Sequence, residues 1–184
     1  KKLFTSHLKK DGIAVINCDD GFGRRIYEEM KDSFCCIGIS DSFEDVRLKI
    51  KILSADMSGT VVMMNYDGKI YEVKIPVPGK FNIYNTLSAF AVCSHFIGID
   101  KALSRISTKA EVPGRFEQIG DNAVFVDYAH SPDSLENVLK MMKELNVFRK
   151  IITVMGAGGD RDAGKRPLMG KIASDYSNIV IITD

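Results

Sequence analysis

Neither sign of charge dominates this chain: 25 Lys and Arg stand against 24 Asp and Glu. A polyanion needs a basic field to hold it, and no basic stripe interleaved with aromatics is present, so nucleic acid is excluded as a partner. The four cysteines, Cys18, Cys35, Cys36 and Cys93, form no C-x-x-C pair and no Cys/His spacing that suits zinc. Free thiols in a reducing cytoplasm are the simplest reading, and no metal ligand is singled out. No apolar run approaches the ~20 residues of a membrane span, and the opening KKLFTSHLKKDG lacks the apolar centre of a signal peptide. A cytoplasmic protein without membrane contact is therefore expected. The chain also begins without Met and ends on Asp184 directly after NIVIIT, which suggests a piece of a longer protein.

What is present suffices for a packed core: 184 residues, 45% hydrophobic and 27% charged, enough for one or two domains. DGIAVINCDDGFG reads as a buried strand, Ile13 to Ile16, closed by Asp19, Asp20 and Gly21. FGRRIYEEMKDS then reads as a helix and FCCIGIS as a second strand, with Cys35-Cys36 in buried apolar use. From about Val46 to Pro78 apolar and polar residues alternate around Asp67-Gly68, which predicts an antiparallel three-stranded meander. FNIYNTLSAFAVCSHFIGI follows as a buried helix with Ile83, Leu87, Phe90, Ala91 and Val92 at helical spacing and Asn82 where an N-cap is useful. DKALSRIST is a short helix, and a domain boundary is expected near Ala110. Beyond it AVFVDYA, SPDSLENVLKMMKEL, KIITVMG, KRPLMGKIASDY and NIVIITD alternate strand and helix. Ser131-Pro132 opens the first of these helices, and the series predicts a parallel sheet with right-handed crossovers.

In such a sheet ligands gather at the carboxyl ends of the strands. Asp127 to His130, Gly156 to Arg166 and Asp184 fall on that edge. Gly159-x-x-x-x-Gly164-Lys165 is one residue short of a phosphate-binding P-loop, because Arg166 stands where the Mg²⁺-binding Ser or Thr belongs. Asp160 and Asp162 would put negative charge inside the cradle, and Gly156-x-Gly158 lacks the third glycine of a dinucleotide fingerprint. Two readings remain for this loop: a glycine-rich turn with its charges in water, or a site for a zwitterionic or anionic small molecule, for which its crowded charges are suited. Asp127 can serve a ribose hydroxyl or help order Mg²⁺, and His130 can meet phosphate or simply cap a helix. Asn82 and Asn85 share a helix face and can read an adenine edge. Arg115, just past the linker, is placed to reach a phosphate between domains.

Taken together, GKFNIYNTLSAFA, VPGRFEQI, VFVDYAHSPDSL and GAGGDRDAGKRPLMG, in this order and spacing, resemble the Mur ligase family, and most of all its diaminopimelate-adding branch. The resemblance runs from about Leu3 to Asp184. It implies an α/β fold: residues 1–110 as the end of the central ATPase domain, with its small antiparallel meander, and 111–184 as the start of a C-terminal Rossmann-like parallel-sheet domain. It also implies ATP-dependent amide formation in peptidoglycan synthesis through an acyl phosphate, with ATP and Mg²⁺ as cofactors. UDP-N-acetylmuramoyl-dipeptide and diaminopimelate would be the small-molecule substrates, and the protein would be monomeric. Asn82, Asn85, Arg115, Asp127 and His130 match ATP-binding positions; Arg161, Lys165, Arg166 and Asp184 match the amino-acid side. No catalytic or metal residue is assigned within the chain, since the family's P-loop, Mg²⁺ ligands and carbamylated Lys lie at or before Lys1. A lysine-adding homologue, the architecturally related folylpolyglutamate synthase and a nonenzymatic nucleotide- or amino-acid-binding module are the alternatives.

Overall fold

The computed structural model describes residues 7–108, 112–120, 123–158 and 162–183, and the chain divides into two compact units, Lys1–Lys109 and Ala110–Asp184. In the first, β1 (Ile13–Asn17), α1 (Gly21–Met30) and β2 (Cys35–Ser40) make a β-α-β turn of the chain, with β1 and β2 parallel. β3 (Leu48–Asp56) adds to β2 in parallel, and β4 (Gly59–Tyr66) and β5 (Lys69–Ile75) continue antiparallel. The meander is therefore an extension of the same sheet, in the order β1-β2-β3-β4-β5. Its β4–β5 turn has Asp67 at φ 50° and Gly68 at φ 83°, the two left-handed residues that a tight hairpin matched to strand twist demands. Arg47 holds that turn through Nε and Nη2 on the two Asp67 carboxylate oxygens, at 2.8 and 2.7 Å.

Successive side chains of a strand point to opposite sides, and both faces of β1 and β2 are covered, whereas β3, β4 and β5 bury one face and leave the other exposed. Ala14, Ile16, Cys18 and Cys36 pack against Ile26, Tyr27 and Met30 of α1. The approach is close at Gly38, where a Cβ would stand 2.8 to 3.0 Å from Val46, Tyr27 and Cys18. On the other face, Ile37, Ile39, Leu48, Ile50, Val62 and Met64 meet α2 (Lys80–Ile97) and α3 (Ile99–Ile106), chiefly through Ile83, Leu87, Phe90, Ala102 and Ile106. Two expected core positions lie outside this packing. Val92 is exposed because it falls on the solvent side of α2, and Cys35 is exposed at the start of β2 while Cys36 is buried.

The second unit contains β6 (Glu117–Gln118), β7 (Phe125–Val126), α4 (Pro132–Leu145), β8 (Ile152–Gly156), α5 (Lys165–Tyr176) and β9 (Ile179–Thr183). β8 and β9 are parallel as expected. Among the described residues AVFVDYA does not join them: only Phe125–Val126 is strand, and it pairs antiparallel with β6. The cause is local. Asp127 accepts the Phe116 N–H at 2.8 Å and the Tyr128 N–H donates to the Gly114 carbonyl at 2.7 Å, so this stretch is tied to residues 114–118, and Phe116 stacks on Phe125 at 4.8 Å. α4 opens as the sequence predicts, with Pro132 in its first turn and Ser131 and Ser134 exchanging side-chain bonds to each other's backbone N–H. α4 and α5 cover one face of the β8–β9 pair through Leu135, Leu139, Met169 and Ala173. The other face presents Ile152, Val154, Ile179 and Ile181, which are 47–64% exposed. No helix among the described residues is long and apolar enough to cross a membrane.

Candidate functional site

The first unit offers the start of α2. The helix begins at Lys80, two residues before the expected cap, because Gly79 at φ 96° takes the turn into it and provides no side-chain cap. Asn82 is thus not an N-cap. It lies in the first turn with its Nδ2 donating to the Pro78 carbonyl at 2.7 Å, and Asn85, one turn later, is exposed. The helix bearing these two amides is tied to the carboxyl ends of β1 and β2. Asp19, just after β1, accepts from the Tyr84 hydroxyl of α2, the Ser40 hydroxyl, the Ser42 hydroxyl at 2.9 Å and the Asp41 N–H at 3.0 Å. Lys80 of the same helix turn pairs with Asp41 at 2.6 Å.

The electrostatics follow from that set of donors. Burial by itself would raise the Asp19 pKa, but hydrogen bonds from Ser40, Tyr84, the Asp41 N–H and Ser42 reverse this and hold the carboxyl well below the usual range. Burial and the bond to the Asp19 anion push the Tyr84 phenol up, so it remains a donor. Burial likewise pushes the neighbouring Cys18 thiol up to about 11, which leaves it inert as a nucleophile. The adjacent aspartates divide their work: Asp20 caps α1 by accepting the Phe22 and Gly23 N–H groups at 2.9 and 2.7 Å. In the sequence both simply close the strand. Two neighbouring carboxylates after a buried strand were the available signal that one of them has a partner elsewhere.

In the second unit the residues expected at the strand ends come together in part. The Arg115 guanidinium lies over the Tyr128 ring, 5.4 Å from its centroid, and the Tyr128 and His130 rings are 5.1 Å apart. His130 Nδ1 is 3.1 Å from the Tyr128 carbonyl. Lys165, at the first position of α5, donates to the His130 carbonyl at 3.2 Å. Asp127 is half-buried and is committed to the Phe116 N–H, which holds Phe116 at φ 46° next to Arg115. Arg166 turns back to the Ala157 carbonyl at 3.0 Å, so the near-P-loop's second cation braces the end of β8. Arg161 and Asp184 lie outside the described residues. Arg115 and His130 at the Tyr128 ring, with Lys165 on the His130 carbonyl, bring cationic and donor groups into one stretch of the unit, as an anionic ligand requires. Tyr128, 64% exposed, is not among the residues expected from the sequence, where an aromatic ring beside an Asp at a strand end is its sign.

A surface concavity of about 270 Å³ between β1 and α1, lined by Val15, Ile16, Asn17, Asp20, Phe22 and Ile26, contains none of the expected site residues. Among the described residues no three His, Cys, Asp or Glu side chains converge as a metal site would need.

Comparison with known proteins matches two parts of the chain separately. Residues 1–93 match the family model described as Mur ligase middle domain, and residues 114–184 match Mur ligase, glutamate ligase domain. A curated relative from Fusobacterium nucleatum, UDP-N-acetylmuramoyl-L-alanyl-D-glutamate--2,6-diaminopimelate ligase, is 38% identical over all of this chain, which covers 37% of that protein. A solved structure of a ligase of that name is 31% identical with a TM-score of 0.62, over 94% of this chain and 36% of the other. The Thermotoga maritima MurF ligase in complex with ADP shares the fold at TM-score 0.68 and 17% identity, over 97% of this chain and 45% of the other. The chain thus spans little more than a third of the curated relatives it matches.

Proposed function

The chain belongs to the Mur ligase family, and from that premise we propose that it is part of an ATP-dependent ligase adding meso-diaminopimelate to UDP-N-acetylmuramoyl-L-alanyl-D-glutamate in peptidoglycan synthesis. Residues 1–110 would belong to the central ATP-binding domain and 111–184 to the ligase domain that receives the amino acid. In this reaction the γ-phosphoryl group of ATP passes to the substrate carboxylate, giving ADP and an acyl phosphate. The diaminopimelate amine attacks the acyl carbon, loses a proton, and phosphate leaves the tetrahedral intermediate as the amide forms. The observation that carries the reading is the cluster of Arg115, Tyr128, His130 and Lys165, formed from family-matching motifs in a chain 38% identical to a curated enzyme of this activity.

The chain's own residues have separable tasks. Asn82 and Asn85 present amides to the nucleotide base. Arg115, held on the Tyr128 face, offsets phosphate charge, and Asp127 keeps the Arg115–Phe116 backbone in place while offering its remaining acceptor capacity to a ribose hydroxyl. His130 lies in the same loop. Lys165, Arg166, Arg161 and Asp184 serve the carboxylate-bearing amino acid. Mg²⁺, when bound, would neutralise the transferred phosphoryl oxygens; the described residues form no cage for it, so no step is assigned through it. A cytoplasmic, monomeric enzyme acting on nucleotide-linked precursors is consistent with this reading. The test is a division of effects in the ligase that carries this chain. Arg115→Ala is expected to raise KM for ATP about tenfold with little change for diaminopimelate, and Arg161→Ala to do the reverse. Equal effects of both variants on both substrates would overturn these roles, and turnover of lysine in preference to diaminopimelate would overturn the substrate.

A further inference from the structure

Asp19 is buried deeper in hydrogen bonds than the end of a strand requires. One of its oxygens receives the Ser40 and Ser42 hydroxyls and the other the Asp41 N–H and the Tyr84 hydroxyl. Ser40 is fully buried and in turn accepts the Ser42 and Phe43 N–H groups at 3.1 and 2.7 Å. Asp41, the next residue, holds Lys80. The ends of β1 and β2 are thereby bolted to one face of α2, since Lys80 and Tyr84 are four residues apart and lie on the same side of the helix. Neither residue belongs to the set with which the ligand is expected to make contact.

We infer that Asp19 is a positioning residue for nucleotide binding, setting through Tyr84 the rotation of α2 about its axis and so the direction in which Asn82 and Asn85 point. The inference rests on the reading of those asparagines as nucleotide contacts. Ile83 and Leu87 hold the same helix to the sheet, but apolar burial has no preferred direction, whereas a hydrogen bond weakens steeply with angle. Asn85 follows Tyr84 by one residue, about 100° around the helix. A rotation of roughly 20° moves an amide about 6 Å from the axis by about 2 Å, more than the whole tolerance of a hydrogen bond. The bond from Asn82 to the Pro78 carbonyl steadies that amide at the helix start, while exposed Asn85 depends on the orientation of the helix.

The test uses the full-length ligase that carries this chain, with Tyr84→Phe as the mildest variant, Asp19→Asn as the second and the pair Asn82→Ala/Asn85→Ala as the reference. Tyr84→Phe is expected to raise KM for ATP about fivefold, with kcat and KM for diaminopimelate within about twofold. Added to the asparagine pair, it should raise KM for ATP less than about twofold further, because there is no longer an amide to aim. Should Asp19→Asn fail to fold, Tyr84→Phe decides alone. Effects that multiply in full with those of the asparagine pair, or that raise every KM together, would show a merely structural bond and overturn the inference. So would an unchanged KM for ATP in Tyr84→Phe while the asparagine pair raises it. If the asparagine pair itself leaves KM for ATP unchanged, the nucleotide reading of α2 fails first and the positioning role fails with it.

Discussion

The sheet of residues 13–75 matches its cover to its strands, with helices on both faces of β1 and β2 and polar residues on the exposed face of β3 and β5, whereas the uncharged strands of residues 152–183 have helices on one face. Leu48, Ile39, Val62 and Met64 are fully buried between layers, while Ile152, Val154, Ile179 and Ile181 of the second unit stand in water on the side away from α4 and α5. A fully buried aliphatic side chain contributes about 1.5–3 kcal/mol relative to an exposed one, so among the described residues the larger share of apolar burial lies in the first unit. The polar sites follow the same division. Asp19 in the first unit is surrounded by donors and fixes a helix, whereas Arg115, Tyr128 and His130 in the second are exposed and joined by few bonds. Support in one unit and accessible charge in the other is the division expected of a rigid scaffold carrying ligand-binding loops.

The contrast breaks most readily at the core. Leu87→Ala is expected to lower the unfolding free energy of the first unit by about 3 kcal/mol, read by urea denaturation followed on a probe attached to that unit. A loss below about 1 kcal/mol would mean that the cover α2 gives the sheet matters less than its burial indicates. Next is the acid response. The folded pKa of Asp19 is depressed, so its stabilisation is complete above the unfolded value of about 4 and is lost as pH falls toward the folded pKa. The first unit should therefore weaken below about pH 4–5, and Asp19→Asn should flatten that dependence while lowering stability at neutral pH. An unaltered acid slope in Asp19→Asn would refute the assignment.

Smaller effects sharpen the second unit. Ser131→Ala removes a reciprocal cap and is expected to cost about 1 kcal/mol in α4, seen as faster amide exchange in its first turn. Ile181→Ser on the uncovered face should change the stability of this chain by less than about 0.5 kcal/mol. A large loss there would show that something covers the face in solution. Thiol labelling tests the first unit without mutation: Cys35 and Cys93 should react in the native chain, and Cys18 and Cys36 only on unfolding.

Much of the secondary structure was legible because its causes are local. Asp67-Gly68 demanded a hairpin, Ser131-Pro132 a helix start, and helical spacing marked Ile83, Leu87 and Phe90. The two departures have different causes. Gly79 takes the turn into α2, so Asn82 falls inside the helix and not at its cap, and AVFVDYA is not a full strand because Asp127 is bonded to Phe116, eleven residues away. The motifs around Arg115, Asp127, His130 and Lys165 could be found without coordinates, whereas the part played by Tyr128 could not.

By itself the sequence determined most of the helices and strands, where apolar faces lie and which family the motifs match, because these depend on residues a few positions apart or on their order. Tertiary structure alone decided that Asp19 meets Tyr84 across 65 residues, that the meander joins the parallel sheet at Ile39 and Leu48, and that the helices of the second unit pack on one face of β8 and β9. Those outcomes depend on which surfaces pack together. Period and propensity record that a strand has an apolar face, but carry no mark of the residue that will be opposite it.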